Sequence, residues 1–295
     1  MYLSSQSVGS RSQGAQVMGY KLTEQQLAFF DTFGYLGFPG LLVDRIDEII
    51  NDFEEVWAGR GGGHDGRPHD GKQRSCIVPF IDQHDRLSSL LDDERIRGIA
   101  TSLLGDDFNY MGSDGNYYAG DTRWHSDGWH PEILHIKIAF YLDTLTRDTG
   151  CLRVIPGSHK RDDVYADALQ KNVGESSSLW DTAPADVPAQ ALETRPGDIV
   201  CFNHNTKHAS FGGGGRRRMF TMNLCQRYPE HLIPELRDYI SGASRFWLDE
   251  AYGPAMLRTA SPDRLRHLEQ VMANDDHLPE LSRQARETMS EPSRG

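Results

Sequence analysis

The chain has 295 residues, 38% of them hydrophobic and 25% charged, and 31 Lys and Arg against 43 Asp and Glu leave a formal charge of −12. This profile excludes a collagen, a coiled coil or an extensively disordered chain. The acidic balance argues against nucleic acid as a partner, because proteins that grip phosphate backbones present basic surfaces. The longest apolar-leaning run, 133–142, contains His135 and Lys137 and is far too short to span a bilayer, so no membrane partner is expected. Cys76, Cys151, Cys201 and Cys225 show no Cys-x-x-Cys spacing. They read as free thiols in a reducing, cytoplasmic setting.

Residues 1–20 are rich in Ser, Gly and Gln and carry neither the basic nor the apolar region of a secretory signal. They are expected to form a flexible arm, and 21–295 a single domain. Thr23 to Gln26 reads as a capping box, followed by Leu27, Phe29, Phe30 and Phe33 at helical spacing and by Gly34 as a stop. Asp44 is expected to cap a second helix, whose stripe of Ile46, Ile49, Ile50, Phe53 and Trp57 packs against a sheet. Residues 59–72 hold six glycines and read as a loop, a lid or a disordered stretch, with His64 and His69 assigned to solvent. A helical stretch at 86–104 follows.

From there to about Tyr228 short β-type runs dominate. The clearest places Leu134, Ile136, Ile138, Phe140 and Leu142 on one face and His135, Lys137, Ala139 and Tyr141 on the other. Phe108–Met111, Asn116–Ala119, Cys151–Ile155, Ile199–Phe202 and Met219–Cys225 are further candidate strands. Many short strands without regular intervening helices indicate a mainly β fold of the jelly-roll type, flanked by helices at both ends.

His125 and Asp127, two residues apart at a strand end, point to the same side, so an imidazole nitrogen and a carboxylate oxygen can meet one ion. His208 follows the turn Pro196-Gly197-Asp198 and the run Ile199–Phe202, where a closed sheet can bring it alongside. Two histidines and one carboxylate form the facial triad associated with non-haem Fe(II) oxygenases. Beyond the run Gly212 to Gly215 lie Arg216, Arg217 and Arg218. An arginine at the start of that strand can take a carboxylate with two parallel hydrogen bonds. Arg217 would share its face with Met219, Thr221 and Asn223, Arg218 with Phe220, Met222 and Leu224; the more polar set favours Arg217.

At these residues the chain resembles the phytanoyl-CoA dioxygenase family of Fe(II)/2-oxoglutarate-dependent oxygenases. The resemblance rests on Leu22-Thr23-Glu24-Gln25, Gly34-Tyr35, Trp124-His125-Ser126-Asp127, Gly150 to His159, Pro196-Gly197-Asp198 and His208-Ala209-Ser210 with the following arginines. It implies a double-stranded β-helix (cupin-like) fold and iron ligands His125, Asp127 and His208. It further implies a 2-oxoglutarate carboxylate partner among Arg217 and Arg218, assisted by Ser210. The implied reaction consumes O2 and 2-oxoglutarate, releases succinate and CO2, and hydroxylates an aliphatic C–H bond of a small molecule. This sequence has Ala209 where the family usually has glycine.

Trp129 and Tyr118, which flank the triad, are candidates for the substrate wall, with packing as the alternative. His130 and His135 either line the cavity or serve as structural histidines. Lys137 either offers a cation to an anionic substrate or lies in solvent. His204 could pair with His208 on a metal only if the segment were helical, which Gly197 and Ile199–Phe202 oppose. His159 is expected to tie a loop and Arg153 to make a buried polar contact. Two other classes use the same residues: a zinc hydrolase with metal-bound water, and a non-catalytic cupin-like binding protein.

Overall fold

The computed structural model describes residues 19–295. The arm expected at 1–20 therefore lies, up to residue 18, outside the described residues. Tyr20 already packs on the main apolar core. The capping box forms as expected: Thr23 N–H donates to Gln26 Oε1 at 2.9 Å and Gln26 N–H to Thr23 Oγ1 at 3.2 Å, starting α1 (Glu24–Phe33). Gly34 ends it at φ 84°. A Cβ there would meet His159 Nδ1 at 2.5 Å and Thr206 Oγ1 at 2.7 Å, so glycine is required for both conformation and room.

Helix α2 (Ile46–Gly59) buries Ile49, Phe53, Val56 and Trp57. Its expected cap is not made. Arg45 precedes the helix without a side-chain cap, and Asp44 instead accepts from Arg95 Nη1 at 2.6 Å, a stronger charge-assisted partner. Residues 59–72 also depart from expectation. Gly61 and Gly62 take φ of 80° and 78° and turn the segment back on the protein. His64, 2% exposed, lies between the carbonyls of Cys76 and Pro292 at 3.2 and 2.9 Å. His69 contacts Ser75 Oγ and the Gly215 carbonyl at 2.8 and 2.6 Å. The glycines supply turns here, not freedom, and neither imidazole is left to solvent.

Among the described residues ten strands follow one another: β1 (Tyr35–Phe38), β2 (Ser75–Ile77), β3 (Phe108–Tyr118), β4 (Thr122–His125), β5 (His135–Tyr141), β6 (Leu152–Val154), β7 (Gln190–Leu192), β8 (Ile199–Asn203), β9 (His208–Ser210) and β10 (Arg217–Gln226). They form a six-stranded sheet in the order β1-β8-β5-β10-β3-β2 and a four-stranded sheet in the order β4-β9-β6-β7. Every strand pairing is antiparallel. The two strands expected around 108–119 are one, because Gly112 to Gly115 do not turn the chain. The register of β3 against β10 shifts between Asn223 and Leu224, opposite Gly112 at φ 108°, a bulge that bends the strand without ending it.

Alternation on β5 and β10 separates two environments. Ile136, Ile138, Phe140, Phe220, Met222 and Leu224 enter the large core shared with α2, the helix Glu94–Leu104 and the segments after residue 230. Ala139 and Tyr141 join a second cluster with Val154, Val200 and Phe202. Phe140 and Phe220 stack across the strands at 4.4 Å, and Phe53 and Phe80 close over them. Among the described residues no helix is long and apolar enough to cross a membrane.

Candidate active site

The register of the smaller sheet brings the first two candidate residues together. His125 on β4 pairs directly with His208 on β9, and Thr122 with Ser210, so both imidazoles leave the same face and their rings lie 4.3 Å apart. Asp127 follows in the turn after β4, where its N–H donates to the carbonyl of His204 at 3.0 Å. One ligand atom from each of His125, Asp127 and His208 lies within 4.8 Å of the others. His208 Nε2 is 3.7 Å from Asp127 Oδ2.

The imidazole orientations follow from backbone acceptors. His125 Nδ1 lies 2.7 Å from the carbonyl of Arg123, and His208 Nδ1 2.9 Å from that of Thr206. A carbonyl only accepts, so each ring carries its proton on Nδ1 and its lone pair on Nε2. Burial lowers both pKa values, that of His208 to about 4, which keeps both rings neutral at pH 7. For Asp127, burial acts upward, but Lys137 and the surrounding histidines outweigh it and hold the carboxyl well below its ordinary value. Two neutral imidazoles with free Nε2 edges and one ionised carboxylate fit a divalent transition metal, including the tautomer control that buried metal-binding histidines require.

The three residues line a cavity of about 1020 Å³. Arg217 lines it too and is 7% exposed. Its Nη1 donates to the Gly150 carbonyl at 2.6 Å and to Ser210 Oγ at 2.9 Å, its Nη2 donates to the Gly120 carbonyl, and its Nε has no hydrogen-bond partner. The slot is cut by glycine: a Cβ would come within 2.6 Å of the guanidinium at Gly150 and 2.5 Å at Gly213. Arg218, one residue on, points the other way. It pairs with Asp143 at 2.6 Å and with Glu54 at 3.0 Å and does not reach the cavity lining.

Tyr118 lines the cavity, as do Thr221 and Asn223. Trp129 does not; it is 44% exposed. His135 is buried behind the wall, 2.7 Å from Tyr228 Oη, and is not a lining residue. Lys137 is not in solvent. The inward face of β5 carries it into the cavity, where its ammonium sits 2.9 Å from Asp127 Oδ2. Burial opposes that charge, but Asp127 and Asp114 overcome it and raise the lysine pKa. His159 Nε2 lies 3.1 Å from the Asp31 carbonyl, tying a loop to α1, and Arg153 donates to the carbonyls of Ala185 and Arg147.

Two charged residues of the wall escape a sequence reading. Arg74 donates to Asn116 Oδ1 at 2.8 Å, pairs with Asp114 at 3.3 Å, and lies over the Tyr118 ring. Asp114 in turn lies near Lys137, so Arg74, Asp114, Lys137 and Asp127 alternate in sign along the cavity. Asp114 sits in Gly-Ser-Asp-Gly, a run that reads as a turn, and Arg74 in a polar loop. Neither carries a pattern of its own.

A sequence model of the phytanoyl-CoA dioxygenase family matches residues 30–219. A 2-aminoethylphosphonate dioxygenase from an uncultured bacterium is 25% identical over 224 residues, which is 69% of this chain and 81% of that protein. An ectoine dioxygenase of Sphingopyxis alaskensis is 31% identical over 149 residues, 43% of this chain and 48% of that protein. Among solved structures, the non-heme alpha-ketoglutarate-dependent carbocyclase SnoK from nogalamycin biosynthesis shares the fold, with a TM-score of 0.56 and 23% identity over 70% of this chain and 84% of its own. The chain belongs to the phytanoyl-CoA dioxygenase family of Fe(II)/2-oxoglutarate-dependent oxygenases.

Proposed function

We propose that this enzyme couples the oxidative decarboxylation of 2-oxoglutarate to hydroxylation of an aliphatic C–H bond in a small, charged molecule, with His125, Asp127 and His208 as the iron ligands. The observation that carries the reading is the cross-strand pairing of His125 with His208, both Nε2 edges free, in one cavity with Asp127 and Arg217. Iron and its co-substrates supply the oxidising chemistry. The protein supplies position, charge and exclusion of water.

In this reading Arg217, with Ser210 beside it, takes the far carboxylate of 2-oxoglutarate, and glycine at 150 and 213 keeps that slot open. Lys137 holds Asp127 ionised before metal arrives. The charged wall of Arg74, Asp114 and Lys137 orients the substrate, which is why a polar, charged compound is favoured over an apolar one. Relatives named for 2-aminoethylphosphonate and ectoine support a small-molecule substrate. The reading takes 21–295 as one catalytic domain, because the helices after residue 230 contribute Leu236, Ile240, Met256 and Leu278 to the core behind the six-stranded sheet.

Anaerobic titration of the metal-free protein with Fe(II) and then 2-oxoglutarate tests the assignment. A visible charge-transfer band is expected, and it should vanish in His208→Ala. Succinate release across a panel of charged small molecules then identifies the substrate. A band that persists in His208→Ala, or none in the wild type, defeats the reading.

A further inference from the structure

Beside the iron cavity, with His204 in its wall and His130 and His135 outside the lining, a second group of histidines converges. One ring nitrogen each of His130, His135 and His204 lies within 4.8 Å of the other two. His135 and His204 are 1% and 2% exposed, and His130 is half-buried. Each ring also keeps one buried nitrogen without a hydrogen-bond partner: His130 Nε2, His135 Nδ1 and His204 Nδ1. Buried polar atoms are rarely left unmet, and three in one place call for an explanation.

The remaining nitrogens of the two deepest rings are already engaged. His204 Nε2 lies 3.2 Å from Asn223 Oδ1, and Asn223 Nδ2 is turned to the Gly112 carbonyl at 3.4 Å. The amide oxygen therefore accepts from His204, which fixes the ring proton on Nε2 and leaves the lone pair on Nδ1. His135 Nε2 is held by Tyr228 Oη at 2.7 Å. At His204 this is the arrangement of metal-binding imidazoles, one nitrogen anchored and the other offered, and His135 adopts it when its Nε2–H donates to the tyrosine oxygen.

We propose that His130, His135 and His204 form a second metal site for a borderline divalent ion of the Zn(II) class, distinct from the site assigned to iron. Three neutral imidazoles without a carboxylate or thiolate select such an ion, and a water completes a tetrahedron. His130 now stacks on His135 with centroids 3.6 Å apart and planes at 9°. To bind the ion, His130, half-buried in the segment between β4 and β5, has to turn out of that stack and present its nitrogen edge.

The site would fasten the backbone that carries the first triad. The His204 N–H donates to the His135 carbonyl and the Asp127 N–H to the His204 carbonyl, each at 3.0 Å. An ion held by 130, 135 and 204 thus ties together the segments that present Asp127 and His208. Its role is positional, and it requires no reaction at the ion.

Cobalt(II), a coloured substitute for Zn(II), tests this on the full chain stripped of metal. Wild type is expected to bind two equivalents by equilibrium dialysis and elemental analysis. The double variant His125→Ala/His208→Ala should keep one, with the intense visible bands of tetrahedral cobalt, and His130→Ala should lose those bands while keeping the weak bands of the other site. Zn(II) should raise the melting temperature of the double variant. A double variant that binds no cobalt overturns the proposal even if His130→Ala does not fold, and leaves the iron assignment untouched. Failure of the charge-transfer band with tetrahedral cobalt still present overturns only the iron assignment.

Discussion

Arg217→Ala removes a guanidinium whose surroundings are built to hold it still. Gly150, Ser210 and Gly120 supply its acceptors, and two glycines make its room, so the charge is positioned before any ligand arrives. Truncating one partner of a buried, hydrogen-bonded charge pair costs about 2–5 kcal/mol, and each 1.4 kcal/mol is tenfold in affinity. 2-Oxoglutarate binding should therefore weaken by about 30-fold at the low end and more than a thousandfold at the high end. Arg217→Lys keeps the charge but cannot reproduce a planar fork, and should fall between alanine and wild type. The assay is anaerobic titration of the Fe(II)-loaded enzyme, read at the charge-transfer band. Arg218→Ala is the control: it breaks the pairs with Asp143 and Glu54 on the other side of the sheet and should leave 2-oxoglutarate affinity within about twofold while lowering stability by roughly the 0–1 kcal/mol of a surface pair. An Arg217→Ala enzyme that binds 2-oxoglutarate as well as wild type would refute the reasoning.

Three further outcomes follow from other contacts. Gly150→Ala places a Cβ 2.6 Å from Arg217 Nη1 at φ 93° and should weaken both 2-oxoglutarate binding and folding; a crystal structure with an unmoved guanidinium would contradict it. Lys137→Met leaves the buried Asp127 without its cation and Asp114 with Arg74 alone, a loss of about 3–5 kcal/mol in the metal-free protein, and Co(II) should restore more stability to this variant than to wild type in thermal melts. Asp82 accepts from Tyr110 Oη at 2.9 Å and from the Gly253 N–H at 3.0 Å, yet burial raises its pKa to about 6. A raised folded-state value means that its stabilisation is complete below the unfolded value and is lost as pH rises through about 6. Denaturant midpoints should show wild type losing on the order of 3 kcal/mol relative to Asp82→Asn between pH 4 and pH 7, and parallel pH profiles would exclude this account.

The parts of the fold legible in advance were those written with a short period. Alternation along 134–142 assigns Lys137 and Tyr141 to one face and Phe140 to the other, and the structure has them so. The same two-residue period separates Arg217 from Arg218. The capping box at Thr23 is equally local. What alternation cannot supply is the identity of a partner far away in the chain. Asp44 satisfies every local rule for a cap, but Arg95 arrives from a different helix and takes it. His64 sits among glycines, yet the two carbonyls that its ring meets come from β2 and from Pro292. The default of a solvated lysine fails at Lys137 because β5 points it at two carboxylates. Gly112 to Gly115 read as a turn because glycine marks both turns and bulges, and the choice was made by the fit of Phe80 against Gly115, where a Cβ would come within 2.0 Å of the ring.

The parity of the central strands also has a use at the bench. On β5 and β10 the cavity-lining residues all carry odd numbers, Lys137, Ala139, Tyr141, Arg217, Met219, Thr221 and Asn223, while the even-numbered Ile136, Ile138, Phe140, Phe220, Met222 and Leu224 belong to the core beneath the helices. A mutant library confined to 219 and 221, which leaves Ala139 in its cluster with Val154 and Phe202 and Asn223 on His204, would reshape the chamber without entering the large core. Selectivity can thus be diversified along one side of a single ribbon, on the face turned away from that core.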